Sequence, residues 1–123
     1  MLTIIVAKKK DHTIENLLIL DGDRYFIEDG KYEVVFKANL IEVSTERPHG
    51  LKYSLVLLNA NGNRLIGFDN AHPAPKRRGP GAKKTPYYDH KHKGKRTTTY
   101  KFNDAQTLIE NFWAEVDKII QQK

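Results

Sequence analysis

Residues 31–43 read KYEVVFKANLIEV, and this stretch decides the fold class. Its apolar side chains recur at alternate positions, which are Tyr32, Val34, Phe36, Ala38 and Leu40. Because successive side chains of a strand point to opposite faces, this alternation is typical of a strand with one buried face. Asp29-Gly30, just before it, is a strong signal for a tight hairpin. The stretch therefore predicts a strand of an antiparallel sheet, paired with the preceding residues 24–28.

Shorter apolar runs, rich in β-branched and aromatic residues, predict the other strands. We expect them at residues 2–6, 17–20, 53–58 and 64–68, with residues 97–102 returning the chain to the sheet. An alternative for residues 13–18 is a single helical turn. Turns containing Gly, Asn and Asp separate several of these runs, as antiparallel hairpins require.

One helix is predicted at residues 103–121. Asn103 is a good N-cap, and Gln106 lies three residues later, where a capping box places Glu or Gln. Apolar residues then recur at three- and four-residue spacing, at Leu108, Ile109, Phe112, Trp113, Val116, Ile119 and Ile120. This stripe predicts a helix that packs on the sheet and buries Trp113.

Length and composition exclude several classes of protein. The chain has 123 residues and no cysteine, so a disulfide scaffold, a thiolate metal site and a cysteine nucleophile are all excluded. No apolar run approaches the roughly 20 residues that span a bilayer. The apolar residues 2–7 precede lysines, which is the reverse of a secretory signal. We therefore expect a single cytoplasmic domain over residues 1–123.

Positive charge is concentrated in one segment. The net charge is +6, yet residues 72–101 contain ten basic residues and one acid, a local charge of +9. Prolines and glycines predict a long loop over residues 72–97. A basic loop with interleaved tyrosines is typical of an RNA-binding surface, and a merely solvated loop is the alternative. The expected nucleic-acid-binding residues are Arg77, Arg78, Lys83, Lys84, Tyr88, Lys91, Lys95 and Arg96.

Two short clusters, at residues 67–72 and 87–92, hold the candidate catalytic groups. These are Asp69, His72, Asp89, His90 and His92. In an extended segment His90 and His92 point to the same side. Imidazoles titrate near neutral pH, so this pair can exchange the protons of phosphodiester cleavage while an aspartate orients one ring. This hypothesis needs no metal and no cofactor.

Two alternatives remain open at this point. Asp69, His72, His90 and His92 could instead ligate a divalent metal, although nearby lysines and arginines repel a dication. The same segment could also form a non-enzymatic RNA- or ribosome-binding module. The remaining histidines, His12 and His49, are expected to be ordinary surface or turn residues.

Four motifs occur in an order that resembles a known family. They are PHGLKYSL at 48–55, GFDNAH at 67–72, YDHKH at 88–92 and FWAEVD at 112–117. The ordered set is similar to the TumE family of toxin–antitoxin toxins, over about residues 48–120. The resemblance implies a cognate antitoxin as partner, which we expect to bind the basic segment, and a toxin that cleaves RNA.

The sequence thus predicts an α+β fold, with an antiparallel sheet of about five strands and the C-terminal helix packed on one face. The basic loop and both clusters are expected to meet at one end of that sheet. The leading functional hypothesis is a metal-independent endoribonuclease toxin that cleaves mRNA. His90 or His92 is then the general base, and the other histidine, or His72, is the general acid.

Overall fold

The computed structural model describes residues 11–44, 48–70 and 89–122, which form a six-stranded antiparallel sheet and two helices. Each strand pairs with the next along the chain, so the sheet is a simple meander. This architecture confirms the α+β prediction, with six strands where about five were expected. The elements are α1 (Ile14–Leu18), β1 (Arg24–Ile27), β2 (Tyr32–Leu40), β3 (Leu51–Asn59), β4 (Arg64–Asp69), β5 (His90–Lys93), β6 (Arg96–Thr99) and α2 (Ala105–Gln121).

The hairpin between β1 and β2 forms where Asp29-Gly30 predicts it. Glu28, Asp29 and Gly30 have φ values of 54°, 59° and 85°. The third position suits glycine, which adopts positive φ without steric strain. Strand β2 then pairs with β3 over its full length, from Tyr32 opposite Asn59 to Leu40 opposite Leu51. The alternating stretch that decides the fold class is therefore at the centre of the longest strand pair.

Both helices pack on one face of the sheet, which we call the helix face. Phe36, Leu55 and Phe68 lie directly opposite one another on this face and are fully buried. Phe112 of α2 packs edge-on against Phe36 and Phe68, with ring centroids 5.5 and 6.3 Å apart. We call the other side of the sheet the open face, because neither described helix packs on it.

The C-terminal helix begins two residues later than the sequence predicts. Its N-cap is Asp104, whose carboxylate accepts a hydrogen bond of 2.7 Å from the backbone of Thr107. Asn103 is therefore not the cap, because the carboxylate one residue later has the right reach. Trp113 is partly buried rather than enclosed in the core, and its indole stacks on Tyr25 with ring centroids 6.4 Å apart.

The strand predicted at residues 17–20 is wrong, and the helical alternative is right. In α1, Leu17 is fully buried, whereas Ile19 is 75% exposed, so the run does not form a uniformly buried strand. The turn is fixed by tertiary contacts with α2. The Asp11 carboxylate accepts from the backbone of Ala105 at 2.8 Å, and the Thr13 hydroxyl accepts from the backbone of Gln106 at 3.0 Å.

The end of the predicted basic loop is regular structure. Residues 90–93 and 96–99 form the β5–β6 hairpin, which adds two strands to the sheet. The loop's earlier part, residues 72–88, and the strand predicted at residues 2–6 lie outside the described residues. Among the described helices, none is long and apolar enough to cross a membrane.

Candidate functional site

Strand β5 divides the Asp-His-Lys-His motif between the two faces of the sheet. His90 lies opposite Asp69, and His92 lies opposite Gly67, so both histidines are on the open face. Lys91 lies opposite Phe68 and is therefore on the helix face. This alternation follows from the pleat of an extended strand. It confirms that His90 and His92 point to the same side.

His92 is held between two strands by both of its ring nitrogens. Its Nε2 lies 3.1 Å from Asp69 Oδ2, and its Nδ1 lies 3.1 Å from the hydroxyl oxygen of Thr97. A carboxylate only accepts hydrogen bonds, so Nε2 donates to it and carries the hydrogen of the neutral ring. Nδ1 is then the acceptor and faces an exposed hydroxyl. The pair Asp69–His92 thus presents an unprotonated nitrogen on the open face.

The surroundings of His92 lower the pKa of its imidazole and so favour the neutral ring. Burial lowers the pKa of its imidazole, and the charge of Arg64 and the neighbouring His90 lower it further. The Asp69 carboxylate raises it, but the net pKa is below the ordinary value of histidine. The His90 ring lies beside it, with ring centroids 6.4 Å apart, and makes no hydrogen bond to any described residue.

Gly67 leaves room beside His92 for an arginine side chain. A Cβ atom at this position would lie 2.9 Å from Arg64 Cδ and 3.5 Å from His92 Cδ2. The stem of Arg64 therefore passes over Gly67, on the side where His92 lies. Arg64 cannot be recognised as a site residue from the sequence, because its direction depends on a β-bulge that no residue pattern predicts.

On the helix face, Asp89 joins the start of β5 to β3. Its carboxylate accepts from the hydroxyl of Tyr53 at 2.6 Å and lies 3.2 Å from His49 Nε2. Only 4% of Asp89 and 2% of Tyr53 is exposed. Burial and the nearby Asp89 charge raise the pKa of the Tyr53 hydroxyl, so it stays a hydrogen-bond donor. We call Asp89, Tyr53 and His49 the Asp89 cluster.

Asn70 reinforces the same end of the sheet. Its side-chain oxygen accepts from the backbone of Tyr53 at 3.0 Å, and its side-chain nitrogen donates to the carbonyl of Leu51. The side chain is buried and continues the pairing of β3 beyond the end of β4. In the GFDN segment, Phe68 and Asn70 thus serve the fold, whereas Gly67 and Asp69 lie beside His92.

A partly buried ion pair connects Lys91 to helix α2. The Lys91 ammonium donates to Glu115, whose carboxylate also lies 3.5 Å from Lys93 Nζ and 3.7 Å from Lys118 Nζ. Burial raises the pKa of Glu115, but the hydrogen bond and charge of Lys91, with the other two lysines, bring it below the ordinary value. Glu115 falls within the apolar stripe of α2, and an acid in such a stripe is the signal that could have predicted this pair.

The structure brings together three of the five candidate catalytic residues. Asp69, His90 and His92 share the open face, whereas Asp89 lies on the other side and contacts His49 instead of a candidate catalytic histidine. His49 lies in a turn, as expected, but its contact with the buried Asp89 was not foreseen. His72 lies outside the described residues, as do the candidate RNA-binding residues Arg77, Arg78, Lys83, Lys84 and Tyr88.

The candidate RNA-binding residues that the structure describes do not line the His92 site. Lys91 is bound to Glu115 on the helix face, because it alternates with the histidines along β5. Lys95 and Arg96 are exposed at the turn and the first residue of β6. Tyr100, one of the tyrosines interleaved with the basic residues, accepts a hydrogen bond of 2.8 Å from Asn111 of α2, and so it is turned away from the open face.

Asp69, His90 and His92 do not by themselves form a metal site. Within the part of the chain that the structure describes, no group of three or more His, Asp or Glu side chains is arranged to hold a metal ion. The fourth ligand of the metal alternative, His72, is not among the described residues.

The fold and the site define a small α+β protein with a histidine–carboxylate pair on the open face of an antiparallel meander. The family model described as Toxin TumE matches residues 10–120, most of the chain, which therefore belongs to the TumE toxin family. Searches of curated proteins and of solved structures gave no match.

Family membership indicates a toxin of a toxin–antitoxin system, which implies an antitoxin partner. The match also begins well before residue 48, where the resemblance in the sequence begins. The structure links the four motifs that carry the resemblance. His49 and Tyr53 of the first contact Asp89 of the third, Asp69 of the second contacts His92, and Glu115 of the fourth contacts Lys91.

Proposed function

We propose that this toxin is an endoribonuclease that cleaves RNA by histidine acid–base chemistry without a metal ion. The single observation that carries the proposal is the Asp69–His92 pair on the open face, with the His90 ring beside it. An oriented neutral imidazole next to a second imidazole suits a reaction that needs one proton removed and one proton delivered. Asp89 has no part in this scheme, since its carboxylate is engaged in the Asp89 cluster.

RNA supplies its own nucleophile for this reaction. His92 Nδ1 takes the proton of a ribose 2′-hydroxyl, which occupies the place of the Thr97 hydroxyl, and the 2′-oxygen forms a bond to the adjacent phosphorus. The bond from phosphorus to the 5′-oxygen of the next nucleotide breaks, and His90 gives that oxygen a proton. His72 is the alternative acid. The products are a 2′,3′-cyclic phosphate and a 5′-hydroxyl, and return of one proton from His92 to His90 restores the site.

The exposed Lys37 on the open face supports a polyanionic substrate. One row across strands β2 to β5 contains Lys37, Ser54, Asp69 and His90, each lying opposite the next. Four strands span roughly 14 Å, since neighbouring strands are about 4.8 Å apart. An RNA backbone that crosses the open face along this row can therefore contact the Lys37 ammonium while its cleavage point lies at the histidines.

The decisive experiment follows cleavage of an end-labelled RNA by the purified toxin, freed of antitoxin. We expect products that end in a 2′,3′-cyclic phosphate, no effect of a chelator, and resistance of RNA with a single 2′-deoxyribose at the cut. Cleavage that stops with chelator and returns with one divalent ion would replace this mechanism with a metal-dependent one. Binding of RNA without cleavage would leave only the binding-module alternative.

A further inference from the structure

We propose that Arg64 is the residue that binds the scissile phosphate of RNA, and that Gly67 is the residue that lets it reach the site. This inference rests on the proposed ribonuclease function and adds a phosphate-binding group to it. Three observations on the open face support it: the direction of the arginine, the space over Gly67 and the lack of a carboxylate partner among the described residues.

The direction of Arg64 is set by an irregularity in the sheet. Leu57 lies opposite Ile66, but the register then shifts, so that Leu58 lies opposite Arg64. The extra residue, Leu65, makes the β-bulge, and bulges commonly redirect a side chain. Leu57 is buried on the helix face, so the next residue, Leu58, points to the open face. The bulge directs Arg64, opposite Leu58, to the open face as well.

Gly67 then gives Arg64 a path towards His92. A Cβ on residue 67 would lie 2.9 Å from Arg64 Cδ and 3.4 Å from Arg64 Nε. The first distance is too short for two carbon atoms, so the arginine stem occupies the place that any other side chain would take. The same Cβ would contact the His92 ring at 3.5 Å, which makes Arg64 and His92 neighbours across Gly67.

The guanidinium is available for a ligand. Arg64 is exposed and makes no ion pair or side-chain hydrogen bond with the residues that the structure describes. Arg24, on the same face, provides the contrast, because its Nε donates to Glu33 at 2.7 Å. A guanidinium without a carboxylate, next to a neutral imidazole, suits a phosphate, which it binds with two parallel hydrogen bonds. It also stabilises the extra negative charge on the pentavalent phosphorus.

Kinetics of Arg64→Gln test this assignment, with Arg24→Gln as the matched control on the same face. We expect Arg64→Gln to lower kcat/KM by about 10²–10³, the usual loss when one group that stabilises transition-state charge is removed. Arg64→Lys should recover part of the loss, since an ammonium keeps the charge but not the paired hydrogen bonds. Arg24→Gln should leave kcat/KM within about threefold of the wild type, and thermal unfolding should confirm that Arg64→Gln is folded.

The pH profile of kcat/KM distinguishes this role of Arg64 from a purely structural one, because a structural role would not shift the profile. Arg64 lowers the pKa of His92, and Asp69, His90 and burial act on the same ring. Removal of the arginine charge should therefore move the acidic limb of the profile to higher pH. Gly67→Ala, which displaces the arginine stem without removing its charge, should reduce kcat/KM while Arg64 itself is intact.

Binding of an uncleavable RNA with 2′-deoxyribose at the cut separates this inference from the proposed function. We expect Arg64→Gln to weaken binding and to make its dependence on salt shallower, because one phosphate contact is lost. If the wild type cleaves RNA and Arg64→Gln cleaves and binds it equally well, the assignment of Arg64 is overturned and the ribonuclease function stands. If the wild type binds RNA through Arg64 but cleaves none, the ribonuclease proposal fails and the phosphate site stands.

Discussion

The two faces of strand β5 differ in how fully their side chains are engaged. On the helix face, Asp89 and Lys91 are each committed to partners on other elements, Tyr53 and His49 for the first and Glu115 for the second. On the open face, His92 is oriented by Asp69, and the His90 ring makes no hydrogen bond to any described residue. A stretch of four residues thus carries anchoring side chains on one face and chemically available ones on the other.

This difference shows how a short, basic strand can hold the side chains of a site in fixed positions. Because side chains alternate along the strand, Lys91 on the helix face lies between His90 and His92 on the open face. Lys91 therefore fixes the positions of the two histidines without occupying the open face. Rigid placement of this kind is what acid–base catalysis needs, because proton transfer depends on hydrogen-bond distances. We therefore expect open-face variants to lose activity and helix-face variants to lose stability.

The largest effect is expected for a substitution on the open face. His92→Ala should lower the rate of RNA cleavage by about 10²–10⁴, because the proposed general base is lost. His12→Ala, an exposed histidine away from the site, is the matched control and should keep the wild-type rate. Rates measured at saturating RNA check this prediction. A His92→Ala variant with full activity would remove His92 from the mechanism.

The next largest effect is expected for a substitution on the helix face. Asp89→Ala should lower the free energy of unfolding by roughly 2–4 kcal/mol, because the buried Tyr53 hydroxyl and the His49 ring lose their acceptor. Asp89→Asn, which keeps one acceptor oxygen, should lose less. Unfolding in urea measures both. Unchanged stability together with a large loss of cleavage would instead make Asp89 part of the catalytic machinery.

The ion pair of Lys91 and Glu115 should give a smaller loss. Glu115→Gln is expected to lower the free energy of unfolding by about 1–2 kcal/mol, a value reduced by the partial exposure of the lysines. Glu110→Gln, on the exposed side of α2, should change it by less than about 0.5 kcal/mol. The folded-state pKa of Glu115 is lowered, so its contribution is complete above the unfolded-state pKa and disappears as pH falls through the folded-state pKa.

The direction of this pKa shift allows the ion pair to be tested by the pH dependence of stability. The difference in unfolding free energy between Glu115→Gln and the wild type should be constant near neutral pH and vanish in acid. A difference that grows as the pH falls would contradict the pairing.

The smallest effect concerns the pH dependence of cleavage. The Asp69 carboxylate raises the pKa of His92, so Asp69→Asn should move the acidic limb of the pH–rate profile to lower pH. This shift is opposite in direction to the one expected of Arg64→Gln. An acidic limb that stays in place, or moves to higher pH, would show that His92 is not the group that titrates there.

Local patterns in the sequence predict the sheet and the C-terminal helix, because strand alternation and the helical stripe are encoded residue by residue. They do not predict α1, where the apolar run at residues 17–20 fits a strand or a helix and contacts with α2 decide. Alternation also predicts that His90 and His92 share a face. The same alternation puts Lys91 on the other face, and the acid at position 115 is the signal of its partner.

Other parts of the site depend on long-range contacts that no short pattern contains. His49 and Asp89 are 40 residues apart in sequence and meet only because β3, β4 and β5 are neighbours. Arg64 reaches the open face only through the β-bulge opposite Leu57 and Leu58. These residues become candidates once the strand register is known.

The most direct test of the contrast between the two faces is an NMR titration of the histidine side chains with RNA that carries 2′-deoxyribose at the cut. His90 and His92 report on the open face, and His49 reports on the helix face through the Asp89 cluster. We predict that the imidazole signals of His90 and His92 shift as RNA is added, whereas those of His49 stay in place. A shift of His49 without a shift of His90 or His92 would contradict the account.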